Sequence, residues 1–197
     1  MTTVQIGILG HPVLVQQNIR HLRYVQEQTP EYQQLQMAVV PLYRNLQIAG
    51  LDGLLITGWQ EYTLSRRLLP FKQTILAQKD SLALWGIAAG ASMLGRDNMI
   101  PMIDCDISCR SGHNFSTSIL EFPGNLPERC VGIFLPEVTF SSSAPNLTIL
   151  CQNHTRGIIA IRQGNHLASS FAAELTSCYY LYQYWMEMVL RLKEWQI

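Results

Sequence analysis

Short apolar runs and longer amphipathic stretches alternate through the first half of the chain. Residues 4–9 are almost wholly apolar, as in a strand covered on both faces, and residues 14–28 carry apolar positions at helical spacing. Residues 37–42 and 51–56 repeat the strand pattern, the second running into Thr57-Gly58; residues 62–78 read as helix and 81–85 as another strand. Strands separated by helix-length segments predict βαβ crossovers and a parallel sheet. After Gly90 the pattern shortens. Residues 103–107, 116–122, 131–135, 147–151 and 157–162 are strand-like runs divided by Gly, Pro, Asn and Ser, which predicts an antiparallel segment appended to the sheet. Residues 141–146 read as a loop. From about 174 to 193 a closing helix is predicted, with Cys178, Leu181, Tyr182, Trp185, Met188 and Val189 on one core-facing stripe. With no internal repeat, low-complexity tract or linker, residues 1–197 are expected to form a single domain.

Composition narrows the function classes. The chain has 197 residues, 48% of them apolar, enough for a full core. Charged residues make up 14%, against roughly 25% in an average globular domain. Lys+Arg and Asp+Glu both total 14, so the net charge is zero. The absence of a basic surplus argues against nucleic acid, and the high apolar content argues against disorder. A charge-poor surface fits a standing protein partner or a homo-oligomer. No run reaches the ~20 apolar residues of a membrane span, and Met1-Thr2-Thr3-Val4-Gln5-Ile6 lacks the basic start and long apolar core of a signal peptide. A cytoplasmic protein without membrane attachment is expected. The five cysteines, at 105, 109, 130, 151 and 178, form an odd set without a CxxC pair, which predicts reduced thiols.

Two turns have the shape of a reactive site. In Leu84-Trp85-Gly86-Ile87-Ala88-Ala89-Gly90-Ala91-Ser92 a buried strand passes through small residues into a helix, the layout of a nucleophile elbow. In residues 162–176 a hairpin at Gly164-Asn165 leads into an extended run before the last helix. Gln163-Gly164-Asn165, Leu167-Ala168, Ser170-Phe171 and Glu174-Leu175-Thr176 resemble the QGN-x-LA-x-SFHPELT pattern of the glutaminase subunits of pyridoxal 5'-phosphate synthase, which are class I (triad) glutamine amidotransferases. Further blocks agree in order: Ile6-Gly7-Ile8-Leu9 with the opening strand, residues 51–56 with the strand before a PGGES turn, Trp85-Gly86-Ile87-Ala88-Ala89-Gly90 with a WGTCAG elbow, and residues 184–189 with the final helix. The resemblance implies a three-layer, flavodoxin-like α/β domain with a mostly parallel central sheet. It also implies a synthase partner to which ammonia is delivered, and no cofactor.

Set beside that pattern, the chemistry is missing. Ala88 stands at the cysteine nucleophile's position, Ala172 at the histidine base's and Ala173 at the following proline's; only the acidic member survives, as Glu174. Amide hydrolysis of this kind needs a thiolate to attack and a base to move protons, and a methyl group does neither. The turn that lines the oxyanion hole reads Thr57-Gly58-Trp59-Gln60-Glu61, and Trp59, in place of a glycine, is expected to fill the pocket. Gly58 and Trp59, with Gly86, Ala89 and Gly90 of the elbow, are the expected binding positions. A Gln-Gly pair in the family's first loop is here Pro12-Val13, and its Arg-Asn segment after the elbow is scarcely visible around Cys109-Arg110. Cys-to-Ala and His-to-Ala are also the usual engineered inactivations, in which case the parent would be a glutaminase releasing ammonia. The losses at Thr57, Trp59, Pro12, Val13 and Ala173 point instead to natural decay.

Other clusters read more plainly. Cys105, Cys109 and His113 form C-x3-C-x3-H, but in a strand residues four apart lie about 13 Å from each other, too far for one zinc with ligands near 2.3 Å. No metal site is expected. A repurposed hydrolase or transferase would use Ser92 with His11, His113 or His166, although Ser92 falls where a side chain caps or packs. His166, on a hairpin, is expected to be solvated, Glu174 to cap the final helix or pair with an Arg, and Arg66-Arg67 to be a solvated helix face. The reading that results is a catalytically inactive binding or regulatory relative of the glutaminase subunit.

Overall fold

Strands covered on both sides need apolar residues at every position, and that is how the first half of the chain builds its sheet. The computed structural model describes residues 3–42, 48–110, 115–122, 129–141 and 144–194. β1 (Thr3–Leu9), β2 (Gln36–Pro41), β3 (Gly53–Gly58) and β4 (Ala83–Ala88) are followed by short β5 (Asp106–Arg110), β6 (Ser116–Glu121), β7 (Arg129–Phe134) and β8 (Glu137–Ser141), then β9 (Thr148–Asn153), β10 (Gly157–Gln163) and β11 (His166–Ser169). The helices are α1 (Pro12–Gln28), α2 (Glu61–Leu68), α3 (Lys72–Ala77), the single turn α4 (Ala89–Ser92) and α5 (Tyr180–Glu194).

The central sheet has the order β2-β1-β3-β4-β11-β10-β9. β1, β2, β3, β4 and β11 run parallel, while at one side β10 turns back and pairs antiparallel with both β11 and β9. The two-residue period of a strand sorts side chains into two cores. Ile6, Ile8, Leu55 and Trp85 meet α1 and α5 on one face, whereas Leu54, Ile56 and Leu84 meet α2 and α3 on the other. The helical stripe on α5 is buried as its spacing predicts, and Trp185 lies so close to β3 that a Cβ at Gly53 would stand 2.8 Å from its ring. Trp85 packs edge-on against Tyr182, ring centres 4.8 Å apart, and its indole N–H donates to Ser169 Oγ at 3.1 Å. Lys193 Nζ reaches both carboxylate oxygens of Asp52, at 2.9 and 2.8 Å, tying the end of α5 to the start of β3.

Five expectations change. The helix predicted over 62–78 is two helices joined by a 3₁₀ turn at Leu69–Phe71, because Pro70 has no N–H to continue the ladder. The final helix starts at Tyr180, not near 174; residues 173–175 form a separate 3₁₀ turn, and Cys178 precedes the helix. The strand expected at 103–107 begins at Asp106, with Ile103 to Cys105 in a bend where Cys105 N–H donates to the Ile103 carbonyl. Of the five short runs only the last two join the central sheet. β5 pairs with β8, a strand the apolar pattern did not predict, and β6 pairs with β7, as two separate ribbons. Ser141, expected in a loop, closes β8; Ser142 and Ser143 lie outside the described residues.

Candidate functional site

In a parallel sheet the carboxyl ends of neighbouring strands collect at one edge. β3, β4 and β11 are neighbours, with Gly58 opposite Ala88 and Ser169 opposite Ile87. Ala88, at the end of β4, has φ 51° and ψ −121°, and among the described residues no other non-glycine has a positive φ. Such a conformation costs on the order of 1–3 kcal/mol and persists only where its surroundings impose it. They do so through the two flanking glycines. A Cβ at Gly90 would lie 1.9 Å from the Ile56 carbonyl oxygen, and one at Gly86 would lie 2.5 Å from that of Gly90. Fully buried Ala89 opens the α4 turn packed against this junction. The backbone is thus a sharp strand-to-helix elbow, and the side chain it presents is a methyl group.

Beyond the end of β11, Ala172 is buried with its N–H donating to the Ile133 carbonyl at 2.8 Å. Phe171 and Ala173 share one core cluster with Ala88. Glu174, expected to cap the final helix or pair with an arginine, is instead buried in the 3₁₀ turn. Its Oε1 accepts a 2.5 Å hydrogen bond from Thr57 Oγ1, and its Oε2 has no partner among the described residues. Burial pushes its carboxyl up to about 7, with the Thr57 hydroxyl pulling the other way. In sequence Thr57 stands out only as a departure from the turn pattern. No local signal could reveal its role, because the pairing spans 117 positions.

Trp59 does not fill the space at the elbow. It is 37% exposed and stacks on His11, ring centres 5.6 Å apart. The two rings, with Gly10, Gly58 and Arg67, line a cavity of about 70 Å³ to which Ala88 does not contribute. That is the share of roughly two liquid waters, well under the roughly 300 Å³ at which ligand pockets begin. An indole gains more contact lying on a neighbouring ring at the rim than standing in a narrow elbow. Arg67 is no free surface charge either: its Nη1 donates to the Gly10 carbonyl at 2.7 Å, holding the first loop against α2. Arg66 lies over the Tyr62 ring at 5.7 Å.

The residues of a relocated hydrolase are not assembled. Ser92 Oγ donates to the Ala89 carbonyl at 2.9 Å, within its own helical turn. His11 caps α1, accepting from Val13 N–H through Nδ1 at 3.4 Å. His166, expected to be solvated, is buried because β11 lies inside the sheet between β4 and β10. Desolvation lowers it to about 4, opposed by Asp80, so it is neutral at pH 7. His113 lies outside the described residues. Cys105 is buried ahead of β5 and Cys109 lies on that strand; among the described residues no three His, Cys, Asp or Glu side chains are grouped to hold a metal. All five cysteines are free, and burial raises the Cys109 and Cys151 thiols to about 11, leaving them un-ionised and poor nucleophiles.

This geometry can be set beside known proteins. The PdxT subunit of pyridoxal 5'-phosphate synthase from Caldicellulosiruptor saccharolyticus is 27% identical over 201 aligned residues, spanning 95% of this chain and 99% of that one. The chain resembles the PdxT glutaminase subunit. The Staphylococcus saprophyticus PdxT is 24% identical over 95% of this chain and 96% of its own. No protein-family model matches the chain. Among solved structures, a glutamine amidotransferase superposes with TM-score 0.70 at 20% identity, covering 93% of this chain and 98% of its own. A glutamine amidotransferase from Thermotoga maritima gives 0.59 at 11% identity, covering 98% of this chain and 86% of its own. At those identities the likeness establishes the fold, a class I glutamine amidotransferase-like α/β sheet.

Proposed function

We propose that this chain is a catalytically inactive relative of the PdxT glutaminase subunit, retained as a single-domain cytoplasmic binding or regulatory protein of vitamin B6 synthesis. The observation that carries this reading is Ala88: a backbone bent as a nucleophile requires, carrying a side chain that cannot attack. Ala172 and Glu174 extend it. With a methyl group at the base's expected position, the surviving carboxyl is held by the Thr57 hydroxyl instead. The role left to such a chain is to occupy a surface. The relatives are named as subunits of a synthase, and the rim carries apolar groups free to meet a partner, Val13 at 53% and Tyr62 at 72% exposure beside Trp59.

Sedimentation of the chain with the synthase core of its own source tests docking, and the same run gives the chain's own oligomeric state. Co-sedimentation at micromolar concentration is expected. Separate boundaries for the two proteins would reduce the likeness to common descent, and ammonia released from glutamine by the chain, alone or with the core, would overturn the inactive reading.

A further inference from the structure

Larger spaces than the one beside Trp59 open away from the elbow. Where the two ribbons meet the β9–β10 turn, a cavity of about 560 Å³ opens, within the roughly 300–1,000 Å³ range of small-molecule sites. Thr117, Ser118, Phe134, Glu137, Arg156 and Ser170 are among its walls; Ala88, Ala172 and Glu174 are not. Its floor holds a prepared cation. The Arg156 guanidinium lies 3.9 Å above the Phe134 ring centre, Nη2 donates to Ser116 Oγ, and the Arg156 backbone N–H donates to Asn153 Oδ1 at 2.8 Å. Stacking of this kind fixes the plane of an arginine and leaves its remaining N–H groups at the edge. Among the described residues Arg156 is in no ion pair.

The charge around the cavity decides what it would take. Glu137 is the acid in its wall; it is exposed and stands opposite Arg110 in the β5–β8 register. Arg156 is the basic side chain among the residues that line the cavity. The other polar groups are hydroxyls, which both donate and accept, and the Phe134 ring supplies an apolar wall. We infer that this cavity is a binding site for a small hydroxylated monocarboxylate, its carboxylate on Arg156 and its hydroxyls among Thr117, Ser118, Ser170 and Glu137. A fixed guanidinium fork matches a carboxylate geometrically, and one such fork suits one carboxylate. This site stands whether or not the chain docks to a synthase, since it shares no residue with the elbow or the exposed rim.

Ligand-detected NMR titration with D-glycerate as the probe tests it. Glycerate is expected to bind with Kd of order 1 mM, about 4 kcal/mol, and to bind at least tenfold more weakly to Arg156→Ala. Arg156→Lys keeps the charge without the fork and should fall between. Thr117→Val and Ser118→Ala provide a second pair of variants that leave the Phe134 stack intact, each expected to weaken glycerate several-fold. Equal binding of glycerol, which lacks the carboxylate, would overturn the proposal. So would tighter binding of glycerol 3-phosphate or of L-glutamine, or a glycerate affinity unchanged in all four variants.

Discussion

Replacing Glu174 by Gln should make this protein more stable, and only at neutral and alkaline pH. The carboxyl is fully buried, is held by the Thr57 hydroxyl and its own backbone N–H, and is pushed up to about 7 in the folded chain against a reference value of 4.5. Between those values the unfolded state has released a proton that the native state still binds, so unfolding is progressively favoured as pH rises. The penalty is absent below about pH 4.5 and complete above about 7. At 1.36 kcal/mol per pKa unit it amounts to ~3 kcal/mol. The glutamine amide carries no charge, and its carbonyl can still accept from Thr57. Urea unfolding followed by circular dichroism, on both proteins between pH 4.5 and 8.5, isolates this term because every other titration cancels in the difference. Near pH 4.5 the two should differ little. By pH 8.5 the variant should be ahead by up to ~3 kcal/mol, with the crossover between 5 and 7. A difference that stays flat across that window would show that Glu174 is ionised in the folded chain and that its burial has been misread.

The glycine at the elbow is equally exposed to test. Gly90→Ala forces a Cβ into the Ile56 carbonyl and should cost about 3 kcal/mol or more, or prevent folding; an unchanged urea midpoint would show that β3 and α4 can part. Restoring chemistry should fail: the double change Ala88→Cys, Ala172→His is expected to leave glutamine hydrolysis at background, because Trp59 takes a glycine's place in the turn and the pocket it lines, about 70 Å³, is too small for glutamine. Turnover by that double variant would refute the point. Trp185→Ala empties the contact between α5 and β3 and should cost about 3–5 kcal/mol, read as a lower urea midpoint.

The parallel half of the fold was legible because continuous apolar runs can only be strands covered on both faces, and the α5 stripe because helical spacing leaves one place to bury a Trp. Residues 103–107 misled because apolar Ile103 and Ile107 are buried from a bend and a ribbon as readily as from one strand. The ribbon partners were invisible, since β5 and β8 meet across an intervening ribbon that the sequence does not announce. At the site, the positions of Ala88, Ala172 and Glu174 came from resemblance, while their environment did not. The Thr57–Glu174 bond, the burial of His166 and the outward turn of Trp59 each depend on which strands become neighbours. Local pattern fixes the face of a side chain but not what lies opposite.

The arrangement of α5 has a consequence for synthesis. The face of the sheet bearing Ile6, Ile8 and Trp85 is completed by a helix made some 170 residues after β1, with Trp185 against Gly53 and Lys193 on Asp52. Until residues 180–194 have left the ribosome, the part of that face which α1 does not cover stays an open apolar wall. A nascent or prematurely stopped chain is therefore a client for chaperones and a seed for aggregation, and a tag that tethers α5 away from the sheet would be expected to lower the yield of folded protein more than the same tag placed before β1.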